Sequence, residues 1–186
     1  MMNMDWKLLS SEYLFKDAWL TARVDKCETP AGKIVAPYYV LEYNNWVNGV
    51  ALREDGQVIM IRQYRQGIGR TLLEIPGGTM DATDPSPLFA MKREMLEETG
   101  YEFKEWVPLG TIAPNTASSN NYTHMFLATG GVKVQDQQLD HNEEIEVVIM
   151  PLEELQQLVL DNKIVHSLHT TCIFYALLHL GKMTMK

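Results

Sequence analysis

The sequence predicts an α+β fold, with antiparallel strands leading into one acidic helix and two further helices closing the chain. Three observations carry this. Apolar runs rich in β-branched and aromatic residues occupy Ile34 to Leu41, Trp46 to Leu52 and Gln57 to Gln63. A strand-like run then ends in a Gly-rich turn, Glu74-Ile75-Pro76-Gly77-Gly78, ahead of a helix that Ser86-Pro87 opens and Gly100 ends. After about residue 150 the apolar spacing changes from two to between three and four.

The first segment, Trp6 to about Tyr43, reads as short strands. Tyr13, Leu14 and Phe15 precede a polar break, Trp19 to Val24 alternates weakly, and Thr29-Pro30-Ala31-Gly32 is a turn. Such a unit is too small to stand alone, so it must pack on the rest or on a second copy. A boundary near Asn44-Asn45 divides a β subdomain, 1–44, from a larger domain, 45–186.

Trp46 to Leu52 and Gln57 to Gln63 are joined through Glu54-Asp55-Gly56, a strong hairpin signal. The second strand runs into Arg62-Gln63-Tyr64-Arg65. A guanidinium fork matches phosphate oxygens, so Arg65 and Arg62 are candidate diphosphate ligands; a solvated strand edge is the alternative.

On a helix, positions three and four apart share a face, so Glu94, Glu97 and Glu98 fall on one side and Leu88, Met91 and Met95 on another. Two carboxylates about 4 Å apart repel by roughly 4 kcal/mol at an effective dielectric near 20. A divalent cation with a preference for oxygen ligands reverses that sign, and Mg2+, with Mn2+ as the alternative, suits them. Taken alone, the three glutamates also fit a solvated acidic face.

The order strand, Gly-rich loop, acidic helix strongly resembles the Nudix hydrolase signature, G-x5-E-x7-R-E-U-x-E-E-x-G-U, where U is bulky and apolar. Arg93 to Tyr101 matches at every position. The upstream loop is one residue longer than the signature. Asp84 stands six after Gly78, where the signature has glutamate, and counted back from Arg93 that place is Pro85. In this family the upstream glutamate mostly supports the loop, so the departure bears on loop geometry more than on chemistry. The resemblance implies an α/β/α sandwich with a mixed sheet, with the small antiparallel β subdomain before it.

Arg62 to Arg65 and Leu72 to Gly78 look like the ADP-ribose pyrophosphatase branch, as do Leu109 to Asn115 and His124 to Ala128. The resemblance implies a homodimer that exchanges the N-terminal subdomain. It also implies metal ligation by Glu94, Glu97, Glu98 and the Gly77 carbonyl, and a substrate site at Arg65, Arg62 and Glu74. Where the branch usually has a second proline, this chain has Thr116, in a loop that helps recognise the sugar end.

Downstream, Ile145, Val147 and Ile149 alternate as a strand, preceded by His141-Asn142-Glu143-Glu144. In the branch such a loop supplies a general base or a metal ligand. Glu143 and Glu144 therefore join Glu97 and Glu98 as candidate catalytic residues, His141 is an alternative proton acceptor, and a solvated turn remains open. A helix from Pro151 to Leu160 turns Leu152, Leu155, Leu158 and Val159 inward. A second, from about Val165 to Leu180, has Leu168, Cys172, Phe174, Tyr175, Leu178 and Leu180 at core-like spacing, with His166, His169 and His179 as packing or surface residues.

Composition narrows the classes. A net charge of -8 gives no basic field for nucleic acid or an anionic membrane. Two cysteines do not make a disulfide framework, no apolar run reaches spanning length, and Met1 to Trp6 carries no leader pattern. These readings lead to a cytoplasmic enzyme acting on a small nucleotide. The expected reaction is metal-dependent hydrolysis of ADP-ribose to AMP and ribose 5-phosphate. Another nucleoside diphosphate sugar, a dinucleotide polyphosphate, or a non-catalytic ADP-ribose sensor are the alternatives; sensors usually lose box glutamates, which this chain keeps.

Overall fold

In the computed structural model, which describes residues 2–17 and 20–183, the chain runs β1 (Lys7–Lys16), β2 (Thr21–Glu28), β3 (Ile34–Glu42), β4 (Trp46–Arg53), β5 (Val58–Arg65), β6 (Arg70–Glu74), β7 (Gly77–Thr79), α1 (Pro87–Thr99), β8 (Tyr101–Glu102), β9 (Glu105–Ile112), β10 (Thr123–Lys133), β11 (Ile145–Met150), α2 (Leu152–Leu160) and α3 (Ser167–His179). Internal packing divides it into two units, Met1–Asn44 with Ala113–Tyr122, and Asn45–Ile112 with Thr123–Lys186.

The first unit holds an antiparallel sheet in the order β1-β2-β3. Gly32, at φ 77°, closes the β2–β3 turn, where its N–H donates to the Thr29 carbonyl at 2.9 Å. Strand β1 is exposed along its whole length, including Leu8, Tyr13, Leu14 and Phe15. Arg23 pairs with Asp25 and with Glu42 across the sheet. The segment Ala113–Tyr122 docks on β3: Leu41 N–H donates to the Ser118 carbonyl at 2.7 Å and Tyr38 hydroxyl to that of Ala117 at 2.8 Å. The sequence boundaries put that segment in the larger domain, whereas its hydrogen bonds are to β3. Trp19, in the weakly alternating run, lies outside the described residues; Leu20 precedes the strand, and Thr21 to Val24 are in β2.

The second unit is organised by alternation along three neighbouring strands. Val50 and Leu52 of β4, Val58 and Met60 of β5, and Met125 and Leu127 of β10 turn to one face. There they meet Leu152, Leu155 and Val159 of α2 and Cys172, Ile173 and Ala176 of α3. Val47, Ala51, Ile59 and Phe126 turn to the other, against Ala90, Met91 and Met95 of α1. Period-two strands between helices on both faces make the expected α/β/α sandwich. The β11-β5-β4-β10-β8 path is mixed, because β10 runs parallel to β4 while β5 and β11 are antiparallel. The Asp55-Gly56 hairpin is present, with Leu52 opposite Val58.

Helix α3 departs from the expected phase. Its buried positions are Leu168, His169, Cys172, Ile173, Ala176 and Leu177, while Tyr175 is 47% exposed. Apolar residues line α3 nearly all round, so spacing alone did not fix which side faces the sheet. His169 is consequently a core residue, stacked on His166 at 4.0 Å between ring centroids. Among the described residues, no helix is long and apolar enough to cross a membrane.

Candidate active site

Helix α1 is held at both ends as its sequence requires. Ser86 Oγ accepts the Phe89 N–H at 3.2 Å, Pro87 follows, and Gly100 at φ 77° donates its N–H to the Leu96 carbonyl at 2.9 Å. With Met91 and Met95 fixed in the core, helical geometry aims Glu94 and Glu98 at the glycine turn. Gly77 N–H donates to the buried Glu98 carboxylate at 2.9 Å. The Glu94 carboxyl group lies so near Gly78 that a Cβ there would stand 2.5 Å from its carbon. A Cβ on Gly77 would stand 2.3 Å from the Val47 carbonyl oxygen, so neither position has room for a side chain as the chain is placed.

Arg93 binds the loop to the helix. Its guanidinium reaches the Asp84 carboxylate at 3.0 Å and 3.3 Å, the Thr79 carbonyl at 3.1 Å, Glu94 at 3.1 Å and Glu97 at 2.9 Å. The Asp84 side chain is covered, and Arg93 holds its carboxyl below the usual range. The loop turns from Asp81 to Asp84, where the Asp81 N–H donates to the Asp84 carboxylate at 2.8 Å. Asp84, six residues after Gly78, thus anchors the loop to the helix.

Burial pushes the Glu94 carboxyl up to about 7; Arg93 opposes the rise, and the charges of Glu97 and Glu143 add to it. Burial also pushes Glu98 well above the usual range, against the Gly77 N–H, with Glu94 and Glu143 adding to the rise. Glu143 is therefore close enough for its charge to bear on both. Its own carboxylate accepts the Asp140 N–H at 3.2 Å. Glu144 and His141 are exposed. Arg65 makes a two-nitrogen contact with one oxygen of the fully buried Glu74, at 2.6 Å and 3.0 Å, and the other Glu74 oxygen has no protein partner. Arg62 is turned to Glu146 of β11 at 2.7 Å, in an exposed pair.

The structure brings Glu94, Glu98, Glu143 and the Gly77-Gly78 turn together. Glu97, one helical turn from Arg93, is drawn to it and its side chain is 39% exposed. Among the described residues, no three His, Cys, Asp or Glu side chains make a preassembled metal cage. The donor set nevertheless fits a divalent cation: carboxylate oxygens, two of them on groups whose proton affinity burial raises, with Glu94 adding to the rise at Glu98, beside a turn with no side chains. One contact gave no sequence signal. Gln137 Nε2 donates to the Glu98 carbonyl at 2.6 Å and to the Ile145 carbonyl at 3.1 Å.

Residues 43–169 match the NUDIX domain model, and residues 6–41 match the nucleoside diphosphate sugar hydrolase N-terminal domain. An ADP-ribose pyrophosphatase of Mycobacterium tuberculosis (strain ATCC 25618 / H37Rv) is 32% identical over 166 residues, covering 88% of this chain and 79% of the relative. One of Bacillus subtilis (strain 168) is 28% identical over 160 residues, covering 86% and 85%. A crystal structure of an ADP compounds hydrolase superposes with a TM-score of 0.84 over 98% of this chain and 100% of its own; at 20% identity it speaks for the fold alone. Hydrolases of the Nudix family generally use divalent metal ions. A domain match over more than half the chain, on an acidic helix set against its glycine turn, identifies this protein as a member of the Nudix family, an ADP-ribose pyrophosphatase-like pyrophosphohydrolase.

Proposed function

We propose that the chain hydrolyses ADP-ribose to AMP and ribose 5-phosphate. The observation that carries the reading is the convergence of Glu94, Glu98 and Glu143 on the Gly77-Gly78 turn. Glu94, Glu98 and the Gly77 carbonyl, with Glu97 after it leaves Arg93, would hold Mg2+, or Mn2+ in its place. Such an ion neutralises phosphate charge and lowers the pKa of a bound water. Arg65, held by Glu74, presents the rest of its guanidinium to the diphosphate, with Arg62 further along the same strand. Glu143 accepts the proton of the attacking water as its oxygen bonds to phosphorus and the P–O–P bridge breaks. Its place beside Glu94 and Glu98 favours it over the exposed Glu144 and His141.

The exposed apolar side chains of β1 support a homodimer built through the N-terminal sheet. Two buried free thiols and an acidic balance support a cytoplasmic setting. The match of 6–41 to a nucleoside diphosphate sugar hydrolase domain supports a second reading, in which another such sugar is the preferred substrate.

The test is turnover with Mg2+ on ADP-ribose, ADP-glucose, GDP-mannose, NADH and diadenosine polyphosphates, following phosphatase-releasable phosphate. ADP-ribose should give the highest kcat/KM, and Glu98→Gln should lower turnover by about a hundredfold or more with the fold intact. A better substrate among the others would replace the first reading with the second, and a fully active Glu98→Gln would remove the metal assignment.

A further inference from the structure

The loop that carries Glu143 is an excursion closed at its base. It leaves α1 where Gln138 N–H donates to the Glu97 carbonyl at 2.8 Å, and it rejoins the sheet at Ile145, opposite Gln63 of β5. Between these points lie the acidic residues. Just upstream, Val134 N–H donates to the Gly100 carbonyl at 2.9 Å, so the chain runs past the C-terminal end of α1. Backbone contacts thus join the departing limb to α1 and the returning limb to β5.

One side chain links the two limbs. The Gln137 amide nitrogen has two hydrogens, and each has a carbonyl within reach: Glu98 at 2.6 Å and Ile145 at 3.1 Å. Glu98 is the buried carboxylate that Gly77 holds from the other side. Its backbone is therefore fixed by Gln137 and its side chain by the glycine turn. Ile145 follows Glu143 and Glu144 directly. This amide is the side-chain tie between Glu98 and the acidic loop, beside the backbone contacts of Gln138 and Ile145.

Such a link has work to do. Whenever they are ionised, Glu94, Glu98 and Glu143 carry like charge, and their repulsion opposes holding the loop beside the helix. We propose that Gln137 is a positioning residue for hydrolysis, a two-carbonyl clamp that holds the Glu143 loop at working distance from the Glu98 end of α1. The proposal rests on the reading of Glu143 as proton acceptor. Gln137 touches neither substrate nor ion in it; it acts through the backbone of two neighbours.

Gln137 borders an open cleft of about 390 Å3, with Thr99, Tyr101, Lys133, Asp136 and Val147 around it. Replacing it opens no void in either apolar core. Gln137→Met keeps the length and removes both donors. Gln137→Asn keeps the amide but shortens it by one methylene, so it cannot span both carbonyls. A displacement of the order of 1 Å at a reacting group costs up to about a hundredfold in rate, so Gln137→Met should lower kcat by about tenfold to a hundredfold. Its KM should stay near the wild-type value, because the diphosphate contacts are elsewhere. Gln137→Asn should fall between the two.

The experiment is steady-state hydrolysis of ADP-ribose with saturating Mg2+ by both variants, by wild type and by Glu143→Gln, with Tm recorded for each. A drop in kcat at constant KM in a folded variant supports the clamp. Wild-type kcat in both Gln137 variants, beside an inactive Glu143→Gln, overturns the clamp and leaves the loop's role standing. If Glu143→Gln turns over at the wild-type rate, the reading beneath it falls instead. Should Gln137→Met not fold, Gln137→Asn decides alone.

Discussion

Replacing Glu94 with glutamine should stabilise the metal-free protein at neutral pH, by an amount the geometry allows to be worked out. Glu94 is largely buried, and its carboxyl is pushed from the usual 4.5 to about 7. At about 1.4 kcal/mol per tenfold change in proton affinity, ionising it in the fold costs about 3 kcal/mol more than ionising it in the unfolded chain. The sign follows from proton counting. Between about 4.5 and about 7 the folded state holds the proton and the unfolded state has lost it, so stability falls as pH rises through that window. Glutamine carries no charge at any of these pH values and escapes that fall. For a chain of this length each kcal/mol moves Tm by about 2–4 °C, so the variant should melt about 6–12 °C above wild type near pH 8 and close to it near pH 4.5. Thermal unfolding in chelator across that range makes the comparison. Adding millimolar Mg2+ should then raise wild type and close the gap. A difference between the two proteins that does not change with pH, or a variant less stable than wild type near pH 8, would refute the reasoning, because burial of a carboxylate that Arg93 only partly compensates would not be what Glu94 contributes.

Two further substitutions test the surroundings of the site. Gly77→Ala places a methyl 2.3 Å from the Val47 carbonyl oxygen of the neighbouring strand, which is backbone and cannot turn aside. It should cost about 1–3 kcal/mol in denaturant unfolding and lower turnover further than the lost stability explains, since the Gly77 N–H must shift from Glu98. Arg65→Ala leaves the fully buried Glu74 carboxylate without its cation, and should destabilise by about 3 kcal/mol, at the low end for such pairs because Arg65 itself is partly exposed. Pairing it with Glu74→Gln should recover most of the stability but not the KM for substrate; recovery of both would show that Arg65 serves only the fold.

Where local physics decides the outcome, the sequence is a sufficient guide. The Asp55-Gly56 hairpin, the Ser86-Pro87 helix start and the Gly100 stop each depend on residues within a few positions of one another, and each is where its residue types put it. The placement of Met91 and Met95 in the core follows from one apolar stripe on an otherwise polar helix. Helix α3 lacks that contrast, so spacing puts Tyr175 among its core-like positions although it is exposed. The docking of 113–122 on β3 and the parallel pairing of β10 with β4 join residues more than seventy apart, and no local pattern encodes them.

Charge pairing explains the partial legibility of the site. Helical spacing places Glu94, Glu97 and Glu98 on one side and puts Glu97 one turn from Arg93, within pairing reach, but it does not show that a loop carboxylate shares the guanidinium. The guanidinium takes Glu97 one turn ahead, the neighbouring Glu94 and the loop carboxylate of Asp84, which leaves Glu98 to the Gly77 N–H. Counting from Gly78 reaches Asp84 and counting back from Arg93 reaches Pro85; the side chain that the Arg93 guanidinium covers is that of Asp84.

Strand alternation bears on which way Glu143 and Glu144 face. Side chains on a strand alternate, and in β11 the odd positions Val147 and Ile149 pack with the α1 cluster while Val148 and Met150 pack with the α2–α3 cluster. Carrying that parity back past the buried Ile145 puts Glu143 on the α1 side and Glu144 on the opposite one. That is the arrangement found: Glu143 is half-buried with its charge on Glu94 and Glu98, and Glu144 is exposed. What parity cannot supply is distance, since it fixes a direction and leaves the loop free to move along it. Distance depends on the Gln138 contact with α1, on the entry of Ile145 opposite Gln63, and on the Gln137 amide between them. A polar side chain in a loop after a strand has no pattern to mark it, so its part emerges only once the two carbonyls it spans are seen together.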